Sequence, residues 1–483
     1  MSETRLLHGR WWLADKSFDD AVRGTLTLSD DGFRLDLEGT LHERPTDQDP
    51  LTALVDARLP NRVERILGET TDREDLTLEN CDLAAHGTHG RRDGGTTYSE
   101  SYWPRVVCIG GLFEAGEELA FDKVFVRLSS LHPWTAVSGF DPMWQTLTAG
   151  EDKPTIQTYS PPPPRSATLS DGTTIRLEFP LQEKTEGLYT FEKRFTQATR
   201  FVIDYPRPRA VRDVQQHVYT LRNFLTLAVG EAVKVTDLVG FRKPLPTESP
   251  PVGRQVEILY QHLENPRARE IPNHHGMVFL LDDLGDRFEE HMVRWFEHTP
   301  ELGRVLDLYF STLHLEFMYQ ETRFMNFAQA VEGYHRRRLN RTLYDEETFA
   351  SRKEQILENV SGKTRELAKK ALRYANEVSL ADRIKDVLDY LGEPATSIVL
   401  AGAAGTKLDA DGFASRAANV RNVYAHNLEG EEPGSRELAL LTHQLKSLVE
   451  ALFLAELGFE PKVIDAKLKA ARRYDLIRVI ATG

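Results

Sequence analysis

The chain has 483 residues, of which 40% are hydrophobic and 28% charged, so length and composition predict a globular protein of two or three domains. Its formal net charge of -14 argues against a protein that coats nucleic acid nonspecifically, because such binding needs many cationic contacts to phosphates. The charge leaves room for an enzyme with one small cationic cleft.

The start of the chain and its cysteines indicate the compartment. No long apolar run follows the basic residues of the opening MSETRLLHGRWWL, so we expect no signal peptide. The most apolar piece, Leu448 to Leu457, is interrupted by Glu450 and Glu456 and is shorter than the ~20 residues of a membrane helix. Cys81 and Cys108 are the two cysteines, and we interpret them as free thiols of a reducing compartment. The sequence therefore predicts a cytoplasmic protein without a membrane segment.

Short runs that alternate apolar and polar residues extend from residue 5 to about 205 and predict antiparallel strands. Gly24 to Ser29 and Gly32 to Gly39 are the clearest, and Asp30-Asp31-Gly32 between them is typical of a hairpin turn. Further strands are predicted at 76–78, 105–110, 123–128, 173–179, 189–195 and 201–205. The prolines Pro161 to Pro164 predict an extended connector, and hence a sub-boundary near 160–165. We expect antiparallel sheets in a sandwich-like or barrel-like arrangement.

Helical spacing begins near Pro208, and two more strands, Val233 to Phe241 and Val256 to Tyr260, follow before residue 300. From Pro300 onward nearly every segment has helical periodicity. The predicted helices cover 306–339, 346–359, 362–378, 380–391, 413–427 and 435–458. The fold class is therefore α+β, with a β-rich region over residues 1–300 and an all-α bundle over residues 301–483.

Arg421, Asn422 and His426 place a fixed cation, an amide and a titratable imidazole near the end of one predicted helix. On an ideal helix Asn422 and His426 share a face, whereas Arg421 and His426 project ~140° apart. A histidine can take the proton of a 2′-hydroxyl or give one to a leaving 5′-oxygen, and a guanidinium can hold the scissile phosphate. A single histidine does not easily fill both roles, so two copies meeting at a dimer interface would complete such a site. The alternative is that Arg421 and His426 only cap the helix and pair with nearby acids.

The stretch Arg421 to His426, RNVYAH, matches the R-polar-x-x-x-H signature of the HEPN ribonucleases, and the helices around it resemble a HEPN domain of the ApeA-like type. Phe327 to Tyr334 resembles an early helix segment of that type. The preceding region resembles the β-rich N-terminal domain of ApeA-like anti-phage proteins. The similar pieces of that region are residues 9–12, 24–28, 77–81, 121–134 and 221–227.

This resemblance implies a metal-independent endoribonuclease without a cofactor, in which Arg421, Asn422 and His426 are catalytic and the helical domains form a homodimer. It also implies anti-phage defence by abortive infection, in which toxic cutting of host or phage RNA, such as tRNA or mRNA, stops growth. The products would be a 2′,3′-cyclic phosphate and a 5′-hydroxyl. We expect the β-rich region to serve in sensing or control, with a phage-derived molecule as its trigger.

Two alternatives stay open at this point. In the first, the helical domain is a non-catalytic HEPN-type module for dimerisation or partner binding, with a ligand-sensing β region. In the second, the protein senses a carbohydrate or a peptide, and the β region carries the main activity.

A group of arginines beyond His335 forms a second candidate site. Its members are Arg336, Arg337, Arg338 and Arg341. They predict either a solvated helix face, paired with Glu332 and Asp345, or contacts to an RNA backbone near the cleft.

The remaining candidates are weaker. Cys81, His86 and His89 have loosely metal-like spacing, but no second cysteine pair accompanies them, so we expect no metal site. Gly402 to Lys407 is too short for a phosphate-binding loop and is predicted to join two helices. Four tryptophans of the β region predict either core packing or a sugar- or base-binding face: Trp11, Trp12, Trp103 and Trp134.

Overall fold

The fold is available as a computed structural model, which describes residues 4–42, 60–90, 96–140, 158–185, 193–243, 253–261, 271, 273–315, 317–401, 408–426 and 433–471. The chain divides into two compact units. Unit 1 comprises Met1–Leu225 and Ala232–Asn273, and unit 2 comprises Thr226–Glu231 and His274–Gly483. Residue 300, where the sequence predicts the change of domain, lies within unit 2.

Within the described residues, the first unit is built mainly from β-strands. They are β1 (Arg5–Leu13), β2 (Val22–Ser29), β3 (Gly32–Leu37), β4 (Arg62–Thr70), β5 (Asp75–Gly90), β6 (Thr96–Trp103), β7 (Val106–Ile109), β8 (Ala120–Leu128), β9 (Arg165–Thr168), β10 (Thr174–Glu178), β11 (Leu181–Thr185), β12 (Lys193–Gln197), β13 (Arg200–Ala210), β14 (Val235–Arg242) and β15 (Arg254–Tyr260). A short helix, α1 (Leu131–Thr135), follows β8, and a long one, α2 (Val211–Val229), follows β13.

Part of the main sheet closes on itself as a barrel. The strands run in the order β4-β1-β2-β3-β6-β5, and β4 pairs with β5 in addition, so these strands form a ring. Strand β5 makes this closure possible because its first part, to Asp82, pairs with β4 and its later part pairs with β6. All of these pairings are antiparallel. The predicted antiparallel β-rich region is therefore confirmed, in its barrel-like form.

The barrel interior is filled by the apolar residues that alternate along each strand. Trp11, Leu26, Leu35 and Leu78 are fully buried there and belong to one continuous hydrophobic cluster. Burial at every second residue is the pattern that a strand with one face on a core must have. The β2–β3 hairpin shows why the turn was readable, because Gly32 closes it with a positive φ of 132°, which a residue with a side chain rarely adopts.

Beyond the barrel the sheet continues in the order β7-β15-β14-β8-β13-β10-β9. Strand β9 directly follows the run Pro161 to Pro164, which forms no helix or strand, as the sequence predicted. Helix α2 buries Val214, Val218 and Leu221, three residues at helical spacing, within this unit.

The second unit is helical. Its helices are α3 (Leu281–Leu284), α4 (Phe288–Leu302), α5 (Arg304–His314), α6 (Gln320–Arg338), α7 (Glu346–Glu358), α8 (Gly362–Ala371), α9 (Leu380–Leu391), α10 (Ala410–His426), α11 (Ser435–Leu457) and α12 (Pro461–Ala470). The predicted all-α bundle is thereby confirmed. One predicted helix, over 306–339, is instead two, because the backbone at Leu315 is extended and the chain restarts as α6 at Gln320.

Helix α11 is the centre of the bundle. Rings from α4 and α5 pack on its Phe453, with Trp295 at 6.4 Å and Tyr309 at 5.2 Å between centroids. This explains why α4 belongs to the helical unit although it precedes residue 300. Within the described residues α11 is the one helix long and apolar enough to cross a membrane, but 72% of its apolar window is buried inside the bundle. The sequence predicts no apolar stretch of that length, because Glu450 and Glu456 interrupt it.

Candidate active site

Helix α10 positions the three predicted catalytic residues. Its buried side comprises Phe413, Ala414, Ala417, Ala418 and Val420. These mostly small residues let α10 pack closely against α6 and α9. The helix continues to His426, so its last two turns carry Arg421, Asn422 and His426 on a regular backbone.

Arg421 lies at the edge of the packed side of α10, with 24% of its side chain exposed. Its Nη2 donates to Glu332 Oε2 on α6 at 3.3 Å, and its Nη1 donates to Asn422 Oδ1 at 3.2 Å. Its Nε–H is buried and has no acceptor among the described residues. The guanidinium is therefore held in a defined orientation, and its buried Nε–H is unsatisfied.

His426 has a different environment from Arg421. It is the last residue of α10 and is exposed. Because α10 is regular, its side chain projects ~140° away from that of Arg421. The structure therefore does not bring Arg421 and His426 into one cluster within a single chain.

Asn422 connects the two environments. It is exposed, it accepts the hydrogen bond from Arg421, and it lies four residues before His426 on the same helical face. An amide at this position can orient a phosphate oxygen next to the imidazole while it steadies the guanidinium.

Glu332 is a site residue that the sequence analysis did not place beside Arg421. It accepts from Arg336 at 3.1 Å as well as from Arg421, so one carboxylate serves two cations. Arg336 also pairs with Glu377 at 2.5 Å, and this hydrogen bond raises the pKa of the Arg336 guanidinium. The available sequence signal was that Glu332 lies inside the segment Phe327 to Tyr334.

The ion-pair chain continues into the bundle through a buried histidine. Arg383 donates to Glu377 at 3.2 Å and to His335 Nδ1 at 3.0 Å, and His335 Nε2 lies 2.8 Å from Asp386. Because Nδ1 accepts from Arg383, Nε2 carries the proton and donates to Asp386, which makes the ring neutral. Burial lowers the pKa of His335. Arg341 completes the chain with a hydrogen bond to Asp386 at 2.7 Å.

The four arginines of the second candidate site are all engaged. Arg336 and Arg341 pair with acids while keeping 44% and 48% of their side chains exposed, and Arg337 donates to the Glu301 carbonyl at 2.6 Å. Arg338 points into the bundle, where it donates to Glu456 at 2.8 and 3.0 Å. Glu332 is paired with this group as the sequence suggested.

Asp345, the other acid that the sequence analysis paired with these arginines, has a different role. Its side chain caps α7 by accepting from the Thr348 N–H at 2.8 Å.

The other candidates fall into structural positions. No group of three or more His, Cys, Asp or Glu side chains in the described part of the chain could hold a metal ion. Cys81 and Cys108 are buried free thiols, and burial raises the pKa of both. Residues 402–407 lie outside the described residues.

Three of the four tryptophans of the β region follow the core-packing interpretation. Trp11, Trp12 and Trp134 are buried in the core, whereas Trp103 is 46% exposed.

Both parts of the chain match family models. The model of ApeA N-terminal domain 1 matches residues 7–295, and the model of the Apea-like HEPN domain matches residues 325–463. Neither a curated protein nor a solved structure matches the chain. A β-barrel unit followed by a helical bundle with R-N-x-x-x-H on its α10 defines a two-part HEPN protein. The chain belongs to the ApeA-like HEPN family, a class of anti-phage proteins whose helical domain is typically a ribonuclease. The resemblance noted from the sequence is confirmed, and Glu332, Arg421, Asn422 and His426 all lie within the HEPN match.

Proposed function

We propose that this protein is a metal-independent endoribonuclease that cuts host or phage RNA, with tRNA among the candidates, in abortive anti-phage defence. The supporting observation is the arrangement on the last two turns of α10. There an oriented, partly exposed guanidinium and an exposed imidazole lie on either side of one amide, within a HEPN domain. The protein acts in the cytoplasm, and the barrel unit receives a phage-derived trigger.

The reaction is an internal transfer at phosphorus. His426 accepts the proton of the 2′-hydroxyl while the 2′-oxygen attacks the neighbouring phosphorus. The bond from this phosphorus to the 5′-oxygen then breaks. The 5′-oxygen leaves with a proton from a second imidazole, which yields a 2′,3′-cyclic phosphate and a 5′-hydroxyl. Arg421 holds the phosphate and stabilises the charge that builds on its oxygens.

A homodimer supplies the second imidazole. Within one chain Arg421 and His426 project ~140° apart, so one chain cannot present both to the same phosphate from one face. Two copies related by a two-fold axis at α10 would place two arginines and two histidines around one cleft. The same axis explains how a single histidine per chain can serve as base and as acid.

Three variants of the full-length chain test the proposal. Arg421→Ala and His426→Ala are expected to abolish cyclic-phosphate ends in purified RNA and in expressing cells. Arg365→Ala, which removes an exposed arginine of α8, serves as the matched control and retains them. EDTA leaves the wild-type rate unchanged. Wild-type cutting by either site variant would overturn the site, and RNA that stays intact with the wild type would identify a non-catalytic HEPN module.

A further inference from the structure

The segment between α5 and α6 presents unusually exposed aromatic rings. Phe317 is 74% and Tyr319 68% exposed, and Leu315 before them is 51% exposed. The two rings contact each other edge to face, with 5.1 Å between centroids and 78° between planes. An edge-to-face pair in solvent leaves flat ring faces uncovered, and those faces are available to another planar group.

Hydrogen bonds to neighbouring residues hold the segment that carries these rings in place. Met318 lies between Phe317 and Tyr319 in the sequence. Its Sδ accepts a hydrogen bond from Asn326 Nδ2 at 3.6 Å, and the same amide donates to Thr312 at 3.0 Å. Tyr319 is the N-cap residue of α6, and its carbonyl accepts from the Arg323 N–H at 3.0 Å. The rings are therefore presented on an anchored segment, which lowers the entropy lost when a ligand stacks on them.

Two contacts place this segment at the same end of the bundle as His426. Glu332 of α6 pairs with Arg421 of α10, and Phe324 lies 6.3 Å from Tyr424 between ring centroids. The residue number on α6 rises from Phe324 to Glu332, whereas the number of the contacting residue on α10 falls from 424 to 421. The two helices are therefore antiparallel. The start of α6 and the end of α10 therefore lie together.

The distances involved suit a short run of nucleotides. Tyr319 precedes Phe324 by ~7.5 Å along α6, His426 follows Tyr424 by ~3 Å along α10, and the distance between two packed helix axes adds ~8–10 Å. A strand whose scissile phosphate lies at His426 can therefore reach the rings within a few nucleotides.

We infer that Phe317 and Tyr319 form a stacking platform for an unpaired RNA base next to the cut, an inference that rests on the proposed ribonuclease function. Exposed aromatic rings bind unpaired bases in single strands and loops, whereas paired bases in a duplex are already stacked. The substrate class is thus RNA with unpaired nucleotides at the cleavage position. A patch of three apolar side chains is also small beside the 20–30 residues that each partner gives to a stable protein interface.

The platform is tested first by kinetics on the full-length chain. Phe317→Ala combined with Tyr319→Ala is expected to raise KM for a single-stranded oligonucleotide about tenfold, as loss of one stacked base predicts, and to leave kcat within about twofold. Phe317→Trp combined with Tyr319→Phe keeps the ring faces and is expected to retain the wild-type KM. Leu367→Ala, which removes a side chain of α8 that is 68% exposed, is the control. An unchanged KM in the double alanine variant would overturn the platform.

A binding measurement separates failure of the platform from failure of the nuclease. His426→Ala protein is mixed with an oligonucleotide that carries 2-aminopurine, whose fluorescence falls when it stacks. If this quenching is lost when Phe317→Ala and Tyr319→Ala are added to the His426→Ala protein, the platform is supported, even if the wild type cuts no RNA. Equal quenching in both proteins contradicts it. Sedimentation of the double alanine variant tests whether the rings instead contact a second copy of the chain. A change from dimer to monomer would show this and would overturn the platform.

Discussion

Arg421 is already engaged in an ion pair in this structure, because its Nη2 lies 3.3 Å from the Glu332 carboxylate. Glu332 is in turn shared with Arg336, and 20% of its side chain is exposed. A phosphate that binds Arg421 must therefore compete with a carboxylate that is already in place.

Replacement of that carboxylate by an amide should favour RNA binding. Glu332→Gln keeps an oxygen that can accept from Arg421 but removes the competing charge, so KM for RNA is expected to fall by up to about fivefold. The kcat value should stay within about twofold, because the orientation of the guanidinium is preserved. Steady-state cleavage of a labelled oligonucleotide measures both.

Glu366→Gln is the matched control for this prediction, since Glu366 pairs with Lys369 on the solvated surface of α8. A collapse of kcat in Glu332→Gln would contradict competition and would make the negative charge itself necessary for positioning Arg421.

The buried His335 should make the helical unit sensitive to mild acid. Arg383, Asp386 and Arg341 are the charged groups around the His335 ring, and burial lowers its pKa below the usual 6.5. As the pH falls, His335 therefore takes up a proton in the unfolded chain before it does so in the folded chain. Its effect on the free energy of unfolding is absent above about pH 6.5, and below that pH the free energy of unfolding decreases. His335→Gln should flatten this decrease between pH 7 and 5.

Urea midpoints at several pH values measure the difference between wild type and His335→Gln. His274→Gln, at an exposed histidine, should keep the wild-type slope. Parallel curves for wild type and His335→Gln would show that other groups cause the acid sensitivity.

Local signals made several elements predictable from the sequence. Helix α9 begins where expected because Ser379 caps it, with its hydroxyl accepting from the Asp382 N–H at 3.1 Å, and it ends at Leu391, directly before the C-cap Gly392. The β2–β3 hairpin was readable for a similar reason, because Gly32 supplies the positive φ of its turn.

Other elements depend on partners that are distant in sequence. The stretch from Asp82 to Gly90 has the Gly, Thr and His content of a loop, yet it is the later part of β5, because β6 pairs with it. The same limit applies to the site. Arg421 and His426 were found from their spacing, whereas the Arg421–Glu332 pair needs the packing of α10 on α6, which spacing does not encode.

The barrel contains a buried carboxylate whose loss should be measurable. Burial alone would raise the pKa of Glu100, but the His42 imidazole at 3.6 Å and hydrogen bonds from Thr40, the Leu41 N–H and Tyr102 outweigh it and lower the pKa to about 2. The resulting stability is present above pH 4.5 and is lost as pH falls from 4.5 towards 2. Glu100→Gln should therefore destabilise unit 1 by roughly 3 kcal/mol at pH 7.

Hydrogen exchange of the β3 and β6 amides measures this loss. Glu183→Gln, on the exposed β11–β12 hairpin, should leave exchange unchanged. If Glu100→Gln also exchanged at the wild-type rate at pH 7, the ionised carboxylate would not stabilise the barrel.

Arg338 offers a comparison of two carboxylates on one cation. It pairs with Glu456, whose side chain is 8% exposed, and with Glu301, whose side chain is 63% exposed. Glu456 also accepts from Tyr334 at 2.8 Å and lies 2.9 Å from His298 Nδ1. Removing one partner of a buried pair leaves the other charge buried, so Glu456→Ala should cost about 3–5 kcal/mol. Glu301→Ala should leave the urea midpoint close to that of the wild type, because exposed pairs contribute little to stability. Urea midpoints, with hydrogen exchange in α6 and α11, measure both, and equal losses would contradict a structural role for the inward-pointing Arg338.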